Sequence, residues 1–235
     1  VWHEVGRSEP GPGELEIRSF AAALNFKDIL KTMNLLSGAY LENTFFGDTL
    51  GMETAGVVTR VGPGVTGFAP GDKVVSVGPA FASYLVVKAS HVCHQPARLL
   101  PTEAPVFMNY VTAYHGLVEL GRLQRGEWVL IHLASGGVGQ AAISVARMIG
   151  AKIIATAGDA DKRAYLKAQG IEHVFDSRTL DCADRVMEIT DGVGVDVILN
   201  SLPGEALRRS WDTLASYGRF IEIGKRDIEE NSALP

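Results

Sequence analysis

The chain has 235 residues, of which 46% are hydrophobic and 21% are charged, and its formal net charge is −5. This length can fill one large or two modest hydrophobic cores. The acidic balance argues against a nucleic-acid partner, and no apolar stretch approaches the roughly 20 residues of a membrane span. Cys93 and Cys182 are far apart and form no disulfide framework, which favours a reducing, cytoplasmic location.

The first half of the chain is rich in short β-type runs. From Leu15 to about Val92 these runs alternate with glycine and proline turns, for example at Gly56–Val65, Gly71–Gly78 and Ala82–Val87. This pattern predicts a small, strongly bent β-barrel. A single amphipathic helix is predicted over Pro105–Leu120, with Gly121 as its C-cap.

The second half alternates strand and helix patterns. Strands are predicted at Trp128–Leu133, Lys152–Ala157, His173–Asp176, Val195–Ser201 and Gly218–Gly224. Helices are predicted at Val138–Ile149, Asp161–Gln169, Asp181–Thr190 and Glu205–Ala215. Five strands joined by crossover helices indicate an α/β fold with a parallel, doubly wound sheet in the order 3-2-1-4-5. The usual six-stranded version needs one more strand, so we expect the chain to be a piece of a longer protein.

A glycine-rich turn joins the first of these strands to its helix. Gly137, Gly139 and Ala142 form G-x-G-x-x-A, the dinucleotide fingerprint, between a strand pattern and a helix pattern. Glycines let a pyrophosphate approach bare backbone N–H groups, and the helix N-terminus favours its charge. The loop therefore predicts a nucleotide site at Ser135, Gly136, Gly137, Val138 and Gly139.

Several strings resemble one family of reductases. Leu24–Asp28 resembles the LNFRD motif of medium-chain dehydrogenase/reductase proteins, Thr112–Tyr114 their TAY motif and His132–Gln140 their glycine loop. Val195–Leu202 and Arg219–Lys225 resemble the enoyl reductase domains of fatty acid and polyketide synthases. The longer string Gly218–Ser232 looks most like the fungal highly reducing synthases. The resemblance implies a GroES-like β-barrel in the substrate-binding part, residues 1–125. It also implies a Rossmann domain over residues 126–235 with an incomplete C-terminal end.

The zinc-binding and zinc-free branches of this family differ in their ligands. The zinc branch has a Cys near the first motif and a Gly-His-Glu string, whereas here Asn25 and Met52 occupy those places. Asn and Met are poor zinc ligands, and the six histidines show no ligand spacing. We therefore expect no metal.

The residues that determine which nucleotide binds are expected at the end of the second strand of the parallel sheet. An NAD site usually has an acid there for the ribose 2′-OH, but the strand ends at Ala157-Gly158. Lys162, Arg163 and Arg178 follow nearby and would suit the 2′-phosphate of NADPH, unless they are solvated helix charges. Asp159 stands where the resemblance leads us to expect Ser, and it would either weaken phosphate binding or point to solvent.

The resemblance implies conjugate reduction of an enoyl thioester. Lys225 matches the family's candidate proton donor, although a charged strand terminus would look the same. The positions implied to contact the cofactor, besides the glycine loop and the three cations above, are Asn25, Lys27, Thr112, Ser177, Asn200, Ser201 and Leu202. The implied partners are an acyl carrier protein bearing the enoyl-phosphopantetheine substrate, the neighbouring synthase domains and a second copy in a homodimer.

Three alternatives remain at this point. A stand-alone quinone or alkenal reductase would share the fold, but the strings at Val195–Leu202 and Arg219–Lys225 disfavour it. A catalytically silent domain kept for synthase architecture is disfavoured by the intact glycine loop and Lys225, though Asp159 and a short Gln95–Pro105 segment keep it open. A nucleotide-sensing module would leave the motifs of the first half unexplained.

Overall fold

The structure, a computed structural model, describes residues 3–36, 38–42 and 44–229. The chain packs as two compact units, Val1–Met108 and Asn109–Pro235. The domain division near Gly126 stays a prediction, and the end expected to be incomplete lies outside the described residues. Within the described part, no helix is both long enough and apolar enough to cross a membrane.

The first unit is built on an antiparallel sheet of five strands. In chain order these are β1 (Glu14–Ala22), β2 (Glu53–Val61), β3 (Lys73–Val77), β4 (Tyr84–Lys88) and β5 (Val92–His94), arranged as β4-β1-β2-β3-β5. Two short helices, α1 (Phe26–Thr32) and α2 (Gly38–Glu42), precede β2. Register shifts bend β1 between Glu16 and Ile17 and again between Ser19 and Ala21. The bent β structure predicted for this half is confirmed.

A small core holds this sheet together. Leu15 and Ile17 lie two residues apart on β1 and are fully buried. They pack against Val58, Val74, Leu85, Val87 and Val92 from the other four strands. Alternation at a period of two is what places these side chains on one face of the sheet.

The N-terminal segment is attached to this sheet through one buried acid. The Glu16 side chain has no exposed surface and accepts hydrogen bonds from the guanidinium groups of Arg7 and Arg60 and from the Thr59 hydroxyl. The Arg7 guanidinium also lies 4.0 Å from the centre of the Tyr84 ring. Because the hydrogen bonds from these two arginines favour the carboxylate, the pKa of Glu16 lies well below its usual range.

The second unit contains a parallel five-stranded sheet. Its strands are β6 (Trp128–Ile131), β7 (Lys152–Ala157), β8 (His173–Asp176), β9 (Val195–Asn200) and β10 (Leu214–Glu222), in the order β10-β9-β6-β7-β8. Read from the other edge this is 3-2-1-4-5, so the predicted order is confirmed. The connecting helices are α4 (Gly137–Ile149), α5 (Ala160–Ala168), α6 (Cys182–Ile189) and α7 (Glu205–Trp211), and α8 (Arg226–Glu229) follows β10.

Helices cover both faces of this sheet. Val129 and Ile131 pack in one core with Ala142 and Ala146 of α4. Leu130, which lies between them on β6, belongs to a second core with Val186 of α6. Neighbouring residues of a strand point to opposite faces, so the sheet is doubly wound as predicted.

Three predicted element boundaries were wrong by more than two residues. The helix expected over Pro105–Leu120 is an α-helix, α3, only over Phe107–Tyr114, and it continues as a π-type turn over His115–Leu120. The helix expected to reach Ala215 ends at Trp211, because the Thr213 hydroxyl donates to the Ser210 carbonyl oxygen and the Thr213 carbonyl accepts from Val195 N–H. Leu214 therefore starts β10 beside Val195, so the strand expected to begin at Gly218 begins four residues earlier.

Candidate functional site

The glycine loop after β6 is shaped by close backbone approaches. A Cβ at Gly139 would lie 2.5 Å from Ala134 Cα, and one at Gly137 would lie 2.7 Å from Asn109 Nδ2. The first N–H groups of α4 have no partner within the helix, and they stand at the positive end of a 13-residue dipole. The loop fits the pyrophosphate of a dinucleotide, since bare N–H groups at a helix start bind such anions.

Two hydrogen bonds hold this loop in place. Ala134 N–H donates to the Thr156 carbonyl oxygen at 2.8 Å, which links the loop to the end of β7. The Gln140 side chain donates to the Ala134 carbonyl oxygen at 2.9 Å. Ser135 is half-buried in this frame, whereas Gly136 and Gly137 are exposed, so a ligand can reach their backbone.

Asp159, which the sequence left ambiguous, is the N-cap of α5. Its carboxylate accepts from Lys162 N–H at 2.9 Å and lies 3.1 Å from Lys162 Nζ. The backbone and side-chain bonds from Lys162 lower the pKa of Asp159 below its usual value. An Asp three residues before its backbone donor is a common N-cap arrangement. The role of Asp159 was left open in the sequence analysis because the position was compared only with the Ser of the family pattern.

The two arginines near the end of β7 have different surroundings. Arg163 Nη1 donates to Asp176 Oδ2 at 2.7 Å and to the Ala157 carbonyl oxygen at 3.2 Å, so it joins α5 to β7 and β8. Arg178 is exposed, and its Nε would lie 2.9 Å from a Cβ added at Gly158. Ser177 Oγ would lie 3.4 Å from the same Cβ. A guanidinium and a hydroxyl therefore converge on the bare backbone at the strand end.

A hydrogen-bonded cluster connects the carboxyl ends of β9 and β10. The buried Asn200 side chain donates to Glu222 Oε2 at 2.5 Å and to the Leu202 carbonyl oxygen at 2.9 Å. Glu222 Oε1 accepts from Gly224 N–H at 2.5 Å. Burial raises the pKa of Glu222, while the bonds from Asn200 and Gly224 act in the opposite direction. Lys225 is the next residue after Gly224 and is exposed at this edge of the sheet. Ser201, which follows Asn200, is half-buried.

His132 directly follows the central strand, β6, and is buried. Its Nδ1 lies 3.0 Å from Thr156 Oγ1 and its Nε2 lies 2.8 Å from Ser210 Oγ. Ser210 donates its own proton to the Ala206 carbonyl oxygen, so it accepts from His132, and the proton of the neutral ring is therefore on Nε2. Burial lowers the pKa of His132 to about 4. The ring borders a cavity of about 20 Å³, which has room for one water molecule.

In the first unit, Asn25 and Glu53 form a separate polar cluster. Asn25 Nδ2 donates to Glu53 Oε1 at 3.2 Å, and Met108 N–H donates to Glu53 Oε2 at 2.8 Å. Asp28 accepts from Asn25 N–H and from Gly51 N–H, each at 2.9 Å, at the start of α1. Burial raises the pKa of Glu53. Among the described residues no three His, Cys, Asp or Glu side chains gather as ligands for a metal ion.

The predicted site residues fall into groups. In the second unit, the residues at or just after the carboxyl ends of parallel strands are the glycine loop, Ser177, Arg178, Asn200, Ser201, Leu202 and Lys225. Lys162 and Arg163 lie on α5, and Thr112 is half-buried on α3. Asn25 and Lys27 lie at the start of α1 in the first unit. Sequence reasoning missed Glu53 and Glu222 although both belong to quoted strings, because a lone Glu in a strand carries no signal of its partner.

Comparisons with known proteins identify the family. The models for the alcohol dehydrogenase GroES-like domain and for zinc-binding dehydrogenase match residues 11–120 and 137–235. The chain is 47% identical to one subunit of the phenolphthiocerol/phthiocerol polyketide synthase of Mycobacterium tuberculosis over 99% of its length, and 46% identical to the hybrid PKS-NRPS synthetase pyvA of Aspergillus violaceofuscus over 97%. It spans only 10% and 6% of these relatives, and the two identities do not separate the bacterial from the fungal group.

Solved structures agree with this result. The CurK enoyl reductase is 38% identical, with a TM-score of 0.89 over 98% of this chain and 73% of its own. The JamJ enoyl reductase in its apo form is 40% identical, with a TM-score of 0.89 over 96% of this chain and 70% of its own. The chain therefore belongs to the enoyl reductase domains of polyketide synthases, within the medium-chain dehydrogenase/reductase superfamily.

Proposed function

We propose that the protein reduces the α,β-double bond of an enoyl thioester with NADPH, during polyketide or fatty acid chain elongation. The fold of this family implies a nicotinamide cofactor. The observation that carries the proposal is the placement of Lys225, which follows β10 at the same carboxyl edge of the sheet as the glycine loop after β6. Ligands of open parallel sheets bind at that edge.

The reaction needs a hydride, a proton and a stabilised enolate. NADPH held at the glycine loop would supply the hydride to the β-carbon, and the electrons of the double bond would then move to the thioester oxygen. Lys225 would donate a proton to the α-carbon, or hold the enolate by its charge, and the net change is the addition of one hydride and one proton. Asn25, Lys27 and Thr112 remain proposed cofactor contacts on the strength of their motifs.

The preference for NADPH over NADH is supported by the end of β7. Arg178 and Ser177 converge on Gly158, and Asp159 at this strand end is already engaged by Lys162. Lys162 and Arg163 remain proposed ligands of the 2′-phosphate, but each has an acidic partner within the protein. Arg178 is therefore our first candidate for that role.

The proposed substrate is carried on the phosphopantetheine of an acyl carrier protein. The relatives named above are synthase chains in which the matching region is a small part of the whole, so neighbouring synthase domains are proposed partners. A homodimer and a cytoplasmic location complete the proposal. The absence of a metal also remains a prediction.

The test is the replacement of Lys225. Lys225→Ala should lower the turnover of a crotonyl-pantetheine thioester by about 10²–10⁴-fold, the range that a positioned proton donor contributes, while the Kd for NADPH stays unchanged. Turnover is followed by NADPH absorbance and the Kd by fluorescence titration. Lys167→Ala, which removes an exposed lysine of α5, is the control and should match the parent.

Two results would contradict this proposal in different ways. If Lys225→Ala reduced the thioester at the parental rate, Lys225 would be a charged strand terminus and the donor would be another group. If the parent protein consumed no NADPH with any enoyl thioester, the catalytically silent alternative would replace the proposed function.

A further inference from the structure

Two acidic side chains, one before Lys225 in the chain and one after it, accept hydrogen bonds from the same neighbouring segment. Before it, Glu222 Oε2 accepts from Asn200 Nδ2 at 2.5 Å. After it, both carboxylate oxygens of Asp227 accept from Gly204 N–H, at 3.0 and 3.2 Å. Asn200 and Gly204 flank the loop that follows β9. The stretch Glu222–Asp227, which we call the arch, is thus fixed at both ends to the same loop.

The first of these attachments has a defined polarity. Leu202 N–H donates to Asn200 Oδ1 at 3.2 Å, and Asn200 Nδ2 donates to the Leu202 carbonyl oxygen at 2.9 Å. The Asn200 amide is fully buried and cannot turn without losing both bonds. It therefore always presents an N–H to Glu222. Only an acceptor at that position satisfies it.

Glu222 also fixes the backbone next to Lys225. Its second oxygen accepts from Gly224 N–H at 2.5 Å, and Ile223 N–H donates to the Asn200 carbonyl oxygen at 3.0 Å. Both oxygens of Glu222 are thus used as acceptors, one by the loop after β9 and one by the arch itself. Two consecutive residues before Lys225 are fixed by backbone hydrogen bonds.

We propose that Glu222 and Asp227 are positioning residues, which hold the arch so that Lys225 is aimed at the substrate for protonation. This proposal rests on the proposed function, since it assumes that Lys225 acts on the enolate. Proton transfer is sensitive to such placement, because an error of about 1 Å in a reacting group can cost about 10²-fold in rate. Glu222 and Asp227 would act through Lys225 without touching the substrate.

Glu222→Gln tests the first attachment without changing the size of the side chain. A glutamine has one acceptor oxygen and one NH₂ group, so either Asn200 Nδ2 or Gly224 N–H would face a donor. We expect kcat with crotonyl-pantetheine to fall by about 10- to 100-fold, with the KM for NADPH unchanged. Asp227→Asn keeps one acceptor for Gly204 and should lower kcat less, by a few-fold.

Isotope effects distinguish positioning of the proton donor from general damage. If protonation alone is slowed, the effect of D₂O on kcat should grow, and the effect of deuterium at the transferred position of NADPH should shrink. A variant that merely loosens the fold would change both steps. Combination with Lys225→Ala gives a second readout, because Glu222→Gln should cost little further activity once Lys225 is absent.

Asp184→Asn is the matched control. It removes one acidic charge from α6 in the same unit, where Asp184 is paired with Arg209 at 3.1 Å, and its rate and isotope effects should equal those of the parent. If Glu222→Gln did not fold, as judged by its NADPH affinity and thermal unfolding, Asp227→Asn would decide the question alone.

The outcomes separate this inference from the function on which it rests. An inactive parent protein would overturn both. An active parent, with Glu222→Gln and Asp227→Asn at parental rates and isotope effects, would overturn only the positioning role. The positioning role would also be overturned if Glu222→Gln lowered kcat by the same factor in the Lys225→Ala variant as in the parent.

Discussion

Arg178 and Arg163 lie near the same strand end but differ in what they are free to bind. Arg163 is held by Asp176 and by the Ala157 carbonyl oxygen, so its charge is partly satisfied within the fold. Arg178 donates its backbone N–H to Asp176 Oδ1 at 2.9 Å, while its guanidinium lies beside Gly158. The backbone hydrogen bond fixes the Cα position of Arg178, and its guanidinium group faces the end of β7.

We therefore expect Arg178→Ala to weaken NADPH binding selectively. A charge-assisted hydrogen bond contributes about 1.5–3 kcal/mol, so the Kd for NADPH should rise at least about tenfold while that for NADH stays nearly constant. Titration of both nucleotides measures this. Arg185→Ala, which removes an exposed arginine paired with Glu188 on α6, should change neither value. Equal losses for both nucleotides would assign Arg178 to the fold instead of the 2′-phosphate.

For single residues, the sequence predicted their place in the fold better than it predicted their hydrogen-bond and ion-pair partners. It placed Arg178, Lys225 and the glycine loop at the carboxyl edge of the sheet from their order along the chain. It could not show that Arg163 is paired with Asp176, because an ion pair across elements depends on the fold and not on spacing. The pairing of Lys162 with Asp159 is local, and the three-residue spacing typical of an N-cap could have indicated it. The cofactor roles of all these residues stay predictions.

The ends of β6, β7 and α7 are joined through one buried imidazole. His132 accepts from the Thr156 hydroxyl and donates to the Ser210 hydroxyl, so the neutral ring satisfies both neighbours. A proton on Nδ1 would face the Thr156 oxygen, which is also the acceptor for Leu133 N–H at 3.3 Å. Burial and this arrangement both oppose the charged form.

The protein should therefore lose stability in mild acid through His132. The folded pKa is about 4, below the unfolded value of about 6.5, so the contribution is complete above pH 6.5. Between pH 6.5 and 4 only the unfolded state binds the proton, and about 3 kcal/mol is lost. Urea unfolding at pH 7 and pH 4 measures the change, and His132→Gln should show a pH dependence smaller by that amount. The raised pKa values of Glu53 and Glu222 make the protein more stable as the pH falls, which is the opposite of the His132 effect. Both proteins contain these two residues, so their contribution cancels when the parent is compared with His132→Gln. Equal pH dependence in both proteins would contradict this account.

The attachment of the N-terminal segment to β1 gives a second prediction for an element. Glu16→Gln removes the charge that two guanidinium groups share, and Arg60 is 28% exposed. Because Arg7 is 46% exposed and can return to water, we expect a loss of about 1–3 kcal/mol, below that of a fully buried pair. Chemical denaturation at pH 7 measures it. Asp184→Asn, at a surface pair, should cost no more than about 1 kcal/mol, and a comparably small loss at Glu16 would show that the segment is only loosely held.

Elements were predictable where polar or glycine turns bounded an apolar run on both sides. β7, β8 and α4 matched their predicted bounds to within a residue, since each carries a clear apolar period between polar turns. The end of α7 and the start of β10 could not be read, because Thr213 decides them through hydrogen bonds to Ser210 and Val195. The π-type continuation of α3 likewise has no periodic signature.

The molecule as a whole contains two compact units with separate cores. Leu15, Ile17 and Val58 belong to a core of the first unit, and Val129 and Ile131 to a core of the second. The order of the parallel sheet was predictable, because crossover helices of one hand leave few alternatives. The pairing of the antiparallel strands was not, since their turns vary in length and no repeat fixes the register.

Leu15→Ala should act on one unit alone. Removing a fully buried leucine costs about 2–5 kcal/mol through lost burial and the cavity left behind. Amide hydrogen exchange should therefore accelerate in β1 and β2, while β6 and β9 keep their protection. Ile154→Val, in a core of the second unit, is the reciprocal variant and should accelerate exchange there by a smaller factor. Equal acceleration in both units after either change would mean that the chain unfolds as one cooperative whole.

The bare backbone at Gly158 also matters for how this chain could evolve. Two of the four glycine codons become aspartate codons by a single base change. The Cβ of an aspartate there would lie 2.9 Å from Arg178 Nε, which is too close, so the guanidinium would have to move and could then pair with the new carboxylate instead of a phosphate. On the proposed nucleotide preference, one base change would thus favour a ribose hydroxyl over a phosphate. On the same proposal, the preferred reductant would then change without any change in the glycine loop or the arch.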